Sequence, residues 1–206
     1  MLTYPGMPGP HVFVHLDREA AQAVYGPGVT FQVGMVTICS NTGTYIDMPF
    51  HRFADGHDLT GLALERVSAV PAVCIDCTGL MSIGPDMLAG RSLAGMAVLF
   101  RTDHSRHWGT PAYFEPHPHL TAATAEALVE AGVAVVGIDS LNIDATHSPE
   151  GDGRPVHTVL LRAGIPIVEH LTALDQLPAD GFSFTAVPPK IEGMGTFTVR
   201  AHATLH

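Results

Sequence analysis

The chain has 206 residues, 46% hydrophobic and 15% charged, enough to bury a core as one domain and too apolar for wholesale disorder. Acidic residues outnumber basic ones 20 to 10, with Lys190 the only lysine, so there is no basic footprint for nucleic acid or an anionic membrane. No apolar run approaches the ~20 residues of a membrane helix. The opening MLTYPGMPGPHVFVHLD lacks a basic region followed by an apolar one, and a cytoplasmic location is expected.

Residues 1–28 form a Pro/Gly-rich N-terminal segment around His11-Val-Phe-Val-His15. Thr30 to Cys39 alternates apolar side chains and predicts a strand. A polar stretch, Ser40 to Thr44, breaks it. Val70 to Cys77 predicts a second strand closed by Thr78-Gly79, Pro85 to Leu88 a short helical start, and Met96 to Arg101 a short buried strand. Thr121 can cap a helix whose apolar face is Ala125, Leu128 and Val129, with Gly132 as its stop. Val133 to Asp139 has almost no polar interruption, as expected of a strand covered on both faces. Val156 to Ala163 reads as a helix stopped by Gly164, and Ile165 to Glu169 as a strand. Phe182 to Val187 and Gly195 to Ala201 alternate as two further strands. No repeat or charged linker divides the chain, so residues 1–206 read as a single strand-rich α/β unit.

Three cysteines, Cys39, Cys74 and Cys77, do not make a disulfide framework. Cys74 and Cys77 spell C-x-x-C, but on one strand residues three apart point to opposite faces, so they are expected to be buried thiols and not a shared zinc or redox pair. Among thirteen histidines, His104, His107, His117 and His119 fall in a Pro-rich loop and are expected to be solvated. Gly109-Thr-Pro111 and Gly151-Asp-Gly-Arg154 are turn punctuation and not phosphate loops, because no G-x-x-x-x-G-K-[ST] is present. There is no G-x-S-x-G serine elbow either.

Chemistry-bearing side chains gather in three places. Asn41, Tyr45, Asp47 and His51 crowd a turn that Gly43 lets fold back and Pro49 stiffens. Asp139, Asn142 and Asp144 leave the buried strand together. His157 and Glu169 flank a helix-to-strand turn, and Glu169 ends an apolar strand, where a carboxylate is costly unless paired or bound to a metal. Each has a plainer reading. Asp47 and Asn41 are suited to capping turns, a lone His51 or His157 to a structural role, and Tyr45 to packing its ring inside with the hydroxyl outward.

Residues 41–51, N-T-G-T-Y-I-D-M-P-F-H, resemble the H-x-G-T-H-x-D-x-P-x-H hallmark of the cyclase family of metal-dependent hydrolases, which includes bacterial kynurenine formamidase and isatin hydrolase. Gly43, Thr44, Asp47, Pro49 and His51 match. The resemblance continues through Arg101-Thr102 with Trp108, Phe114 to Leu120, Val136 to Asp139, Val156 to Leu161, Gly164 to Glu169 with Leu171, Pro189 to Gly193 and Val199-Arg-Ala201. It implies a swivelling β/α fold with a mixed β-sheet and flanking helices. It places Asp47, His157 and Glu169 where the family ligates its metal and His51 where it has its catalytic histidine. Asn41 and Tyr45 replace both ligand histidines of the hallmark, leaving an oxygen-rich set suited to one divalent cation, Zn or Mn, and not two.

The implied function is metal-dependent hydrolysis of a C–N bond in a small cyclic or aryl amide or lactam. His51 would be the acid–base group, with Asn41 and Tyr45 facing the small-molecule substrate. Two other readings keep the fold: a metal-free cyclase, dehydratase or isomerase using Tyr45, Asp47 and His51, and a non-catalytic small-molecule-binding protein. The family also implies a homodimer or homotetramer.

Overall fold

The computed structural model describes residues 3–146 and 153–206; His147 and the Gly151-Asp152 half of the second Gly-rich turn lie outside them. The first element is a strand, β1 (His11–Leu16), followed by a helix, α1 (Arg18–Tyr25), which Asp17 caps by accepting from the Ala20 N–H. The strand β2 (Val33–Thr37) returns antiparallel to β1. The N-terminal segment is therefore structured, and its Pro/Gly composition conceals a strand and an amphipathic helix.

The remaining chain builds β3 (Tyr45–Asp47), β4 (Val70–Asp76), β5 (Ser82–Ile83), β6 (Ala97–Arg101) and β7 (His119–Leu120). The helix α2 (Ala122–Glu130) follows, then β8 (Val135–Ile138), α3 (Pro155–Arg162), β9 (Ile167–Glu169), β10 (Phe182–Thr185), β11 (Thr196–Thr198) and β12 (His202–Leu205). Pro85–Leu88 is a single 3₁₀ turn. Thr121 caps α2 as its sequence predicts, accepting from the Thr124 N–H. The strand β12 is not foreseen by the pattern, because the expected strand from Gly195 to Ala201 stops at Thr198 and a separate edge strand begins at His202.

Eight strands form one mixed sheet in the order β11-β3-β9-β8-β6-β4-β10-β12. The four central strands β9, β8, β6 and β4 are parallel, and antiparallel pairs extend the sheet on both sides. Alternation along the central strands feeds two apolar layers. Val73, Ile75, Val98, Phe100 and Val136 pack under α2 and α3, while Ala72, Cys74, Leu99 and Val135 pack on the opposite face. That is why these strands read as unbroken apolar runs. Cys74 and Cys77 are free and buried in opposite layers, as a two-residue period requires. No helix among the described residues is long and apolar enough to cross a membrane.

Candidate metal and hydrolase site

Strand register assembles the site. Tyr45 on β3 lies directly across from Glu169 on β9, and Asp47 lies across from Thr196 on β11. Tyr45 and Asp47 are two apart, so both project from the same face as Glu169. Ile167, two before Glu169, belongs to the layer under α3, and α3 presents the fully buried His157 to that face. Gly43, with φ of +68°, lets the preceding loop turn back into β3. A single 3₁₀ turn, Pro49–His51, carries His51 back over Asp47.

His157 is held from behind by Asp144. The Asp144 carboxylate accepts the Val156 N–H at 2.7 Å, the His157 N–H at 3.0 Å and the His157 Nδ1–H at 2.6 Å. One side chain therefore serves the open N-terminus of α3 and orients the imidazole. His157 Nε2 then faces Asp47 Oδ2 at 3.5 Å and Glu169 Oε1 at 3.6 Å. Among the described residues neither His157 Nε2 nor Asp47 Oδ2 has a hydrogen-bond partner within bonding distance, and both are buried. A bare Nε2 facing a carboxylate oxygen is costly, so this gap calls for positive charge: a proton on His157 in the metal-free protein, or a cation in its place. Asp47, His51 and His157 each offer a ligand atom, all within 4.8 Å of one another. A carboxylate and imidazoles, one backed by a second carboxylate, fit a single divalent ion of the Zn or Mn type.

Electrostatics agree with this geometry. Burial alone would push Asp47 upward, but the His157 and His51 rings and the Thr196 hydroxyl hold it below the usual carboxylate range. Burial opposes charge on His157, yet Asp144, Asp47 and Glu169 raise it to about 9. His51 is lowered by burial against the partial opposition of Asp47, which keeps it neutral near pH 7. Glu169 is raised by burial, offset in part by His157.

Tyr45 differs from its plainer reading. It is 1% exposed, and its hydroxyl points inward, donating to Glu169 Oε2 at 2.6 Å. Burial and the Glu169 charge raise the phenol well above its usual value, which favours the neutral hydroxyl that donates to Glu169. Glu169 Oε1 also accepts the Ile143 N–H at 2.7 Å. The Tyr45 hydroxyl further meets Tyr4 of the N-terminal segment at 2.8 Å, and Tyr4 reaches His170 Nε2 at 3.0 Å. Asn41 is half-buried, and its side-chain oxygen accepts from Ser40 and not from a residue of this cluster.

Residues 2–145 match the Cyclase family model. The chain belongs to the cyclase family. It is 34% identical over 170 residues to the kynurenine formamidase of Bacillus cereus, covering 82% of this chain and 78% of that one. The Bacillus mycoides kynurenine formamidase is 33% identical over the same length and shares. Isatin hydrolase A from Ralstonia solanacearum superposes with a TM-score of 0.81 at 28% identity, over 100% of this chain and 86% of that one. Isatin hydrolase A from Labrenzia aggregata, bound to benzyl benzoate, superposes at 0.79 with 25% identity, over 100% and 88%. The mixed sheet with flanking helices is the cyclase architecture that the resemblance implied.

The structure of this cyclase-family chain brings Asp47, His51, His157 and Glu169 together. Two further residues join the cluster: Asp144, to which the sequence assigns no role, and Thr196, which it does not mark at all. Asp144 carried a signal, since it ends the polar run Asp139-Ser-Leu-Asn142-Ile-Asp144. Thr196 carried none. Asp139 instead staples a loop, accepting from the Thr102 N–H at 2.6 Å and the Thr102 hydroxyl at 2.7 Å. The loop histidines need correction: His104 and His117 are buried. His104 Nε2 bonds the Tyr113 carbonyl at 3.0 Å and His117 Nε2 bonds the Thr146 hydroxyl at 2.9 Å. Proline turns fold this loop inward against Tyr113, which composition does not reveal.

Proposed function

We propose that this cyclase-family chain is a metal-dependent hydrolase of the C–N bond in a small cyclic or aryl amide, formamide or lactam. The observation that carries this reading is the convergence of Asp47, His51 and His157, whose ligand atoms lie within 4.8 Å of one another, with Asp47 Oδ2 and His157 Nε2 buried 3.5 Å apart. The formamidase and isatin hydrolase relatives support the reaction class. Asp47 and His157, with Glu169 and His51 beside them, would hold one divalent ion, Zn or Mn. Such an ion would supply carbonyl polarisation and a more acidic water.

The chain's own residues supply the proton transfers. His51, neutral and partly open to solvent, accepts a proton from the attacking water. The water oxygen bonds to the carbonyl carbon, the C–N bond breaks, and His51 returns the proton to the leaving nitrogen. Asp144 keeps His157 fixed through this cycle, and Tyr45 holds Glu169 in place, so neither moves as charge redistributes. Asn41 faces the substrate and offers its amide N–H to the developing oxyanion. With the Tyr45 proton directed to Glu169, the contact of Tyr45 with substrate is through its oxygen or ring.

A second copy completes the functional unit in this reading. Among the described residues the β1–β2 ribbon pairs with no other strand, and Val12, Phe13, Val14, Met35 and Val36 are exposed. An isolated two-stranded ribbon with apolar residues on both faces is marginal in water. A homodimer or homotetramer covers it.

The test is elemental analysis of protein prepared without chelator or histidine tag, followed by a panel of aryl formamides and lactams. Near-stoichiometric Zn or Mn, lost in Asp47→Ala and His157→Ala, with turnover abolished in His51→Ala, supports the reading. Turnover without any metal, even after metal is offered, moves the chain to a metal-free cyclase or isomerase. Metal without turnover leaves a binding protein.

A further inference from the structure

We propose that Thr196 is a positioning residue whose hydroxyl dictates which nitrogen of His51 carries the proton, leaving Nε2 as the nitrogen that reacts. This rests on His51 being the acid–base group.

The argument is a count of hydrogens. The Thr196 hydroxyl donates to Asp47 Oδ1, and its oxygen lies 2.8 Å from His51 Nδ1. A hydroxyl has one hydrogen, and that one is given to the carboxylate. A 2.8 Å contact between the hydroxyl oxygen and Nδ1 therefore needs its hydrogen from the ring, so Nδ1–H donates to Thr196 Oγ1. In a neutral imidazole the other nitrogen, Nε2, then holds the free electron pair. His51 Nδ1 and Asp47 Oδ1 are 3.7 Å apart, too far for a direct hydrogen bond. The Thr196 hydroxyl is the bridge between them.

The hydroxyl has little freedom to be elsewhere. Thr196 pairs with Asp47 in the β11–β3 ladder. The adjacent Gly195 carbonyl accepts the Met48 N–H at 2.7 Å, and a Cβ at Gly195 would come within 2.2 Å of the His51 backbone nitrogen. Strand β11 thus lies against the turn bearing His51, and a β-branched side chain at Thr196 fixes the hydroxyl direction. A valine there has the same shape without the donor or acceptor, and a serine keeps both.

Two-bond ¹H–¹⁵N imidazole spectra of the metal-free protein, taken without substrate, read the tautomer of His51 directly. Wild type and Thr196→Ser are expected to show Nδ1–H. Thr196→Val is expected to show loss of that form in favour of Nε2–H or a mixture. In the metal-loaded enzyme, kcat in Thr196→Val is expected to fall by about tenfold or more, with KM within about twofold, and Thr196→Ser to restore it. Should the valine variant not fold, Thr196→Ala carries the same two readouts. An Nδ1–H tautomer that survives in the variant lacking the hydroxyl, or a loss confined to KM, overturns the proposal. Because the spectra need neither ion nor substrate, a wild-type protein that hydrolyses no amide would overturn the functional reading while leaving the tautomer result to stand separately.

Discussion

His157 Nδ1 donates to Asp144 Oδ2 across 2.6 Å, and this bond aims the opposite nitrogen at Asp47 and Glu169. A carboxylate behind a metal-facing imidazole fixes its tautomer and strengthens it as a ligand. Asp144→Asn is expected to weaken Zn or Mn binding by about 10–100-fold while leaving the far-ultraviolet circular dichroism unchanged. Competition against a fluorescent chelator measures this, and wild-type affinity in the variant would show that Asp144 serves only the helix end.

The metal-free protein carries its own pH signature. His157 is raised to about 9, above its ordinary value near 6.5. Its contribution to stability is therefore fully present below about 6.5 and is lost as pH rises through about 9. Asp47 is depressed, so its contribution is present above the ordinary carboxylate range and is lost as pH falls below it. With chelator present, the midpoint of thermal unfolding is expected to be lower at pH 10 than at pH 7. Since the ligand form of His157 is unprotonated, metal binding at pH 7.5 is expected to release about one proton from this residue. Calorimetry in buffers of different ionisation enthalpy counts it, and zero release would contradict the pairing described for His157.

Tyr45→Phe removes the donor to Glu169 Oε2 and keeps the ring. Glu169 is fully buried, so losing that bond is expected to destabilise the fold by about 1–3 kcal/mol. Urea denaturation measures it. An unchanged midpoint would mean that Glu169 finds another donor.

Gly195→Ala places a Cβ 2.2 Å from the His51 nitrogen and 2.6 Å from the Phe50 carbonyl carbon. Backbone on both sides must shift, and a loss of about 1–3 kcal/mol is expected. Turnover is expected to fall with it, because the His51 turn moves relative to Asp47. Retention of wild-type stability and kcat would show that β11 and this turn move together freely.

Val36 on the unpartnered ribbon is 60% exposed. Wild type is expected to sediment as a dimer or tetramer, and Val36→Asp as a smaller species with unchanged metal content. A monomeric wild type would contradict the proposed interface.

Much of the fold was legible because apolar period and turn residues are local signals. Thr121 to Gly132 announced α2, and the unbroken run Val133 to Asp139 announced a strand covered on both faces. Of the N-terminal elements, β2 was legible within Thr30 to Cys39, while β1 and α1 were hidden: Phe13 sits in a strand exposed along most of its length, so burial imposes no alternation on it. His104 and His117 read as loop residues, and only the folding of that loop onto Tyr113 buries them.

Sequence by itself pointed to part of the site. Asp47 and His51 match the hallmark, and Glu169 at the end of an apolar strand needed a partner to justify its charge. Tertiary structure decided what each residue does. The β3–β9 register sets Tyr45 opposite Glu169 and turns its hydroxyl inward. The β11–β3 register brings Thr196 to Asp47 from 149 residues away. The meeting of α3 with the 139–144 loop puts Asp144 behind His157. Hydrogen-bond direction depends on which atoms lie within about 3 Å, and across such distances in sequence that is fixed by strand pairing and helix placement, not by the local pattern of residues.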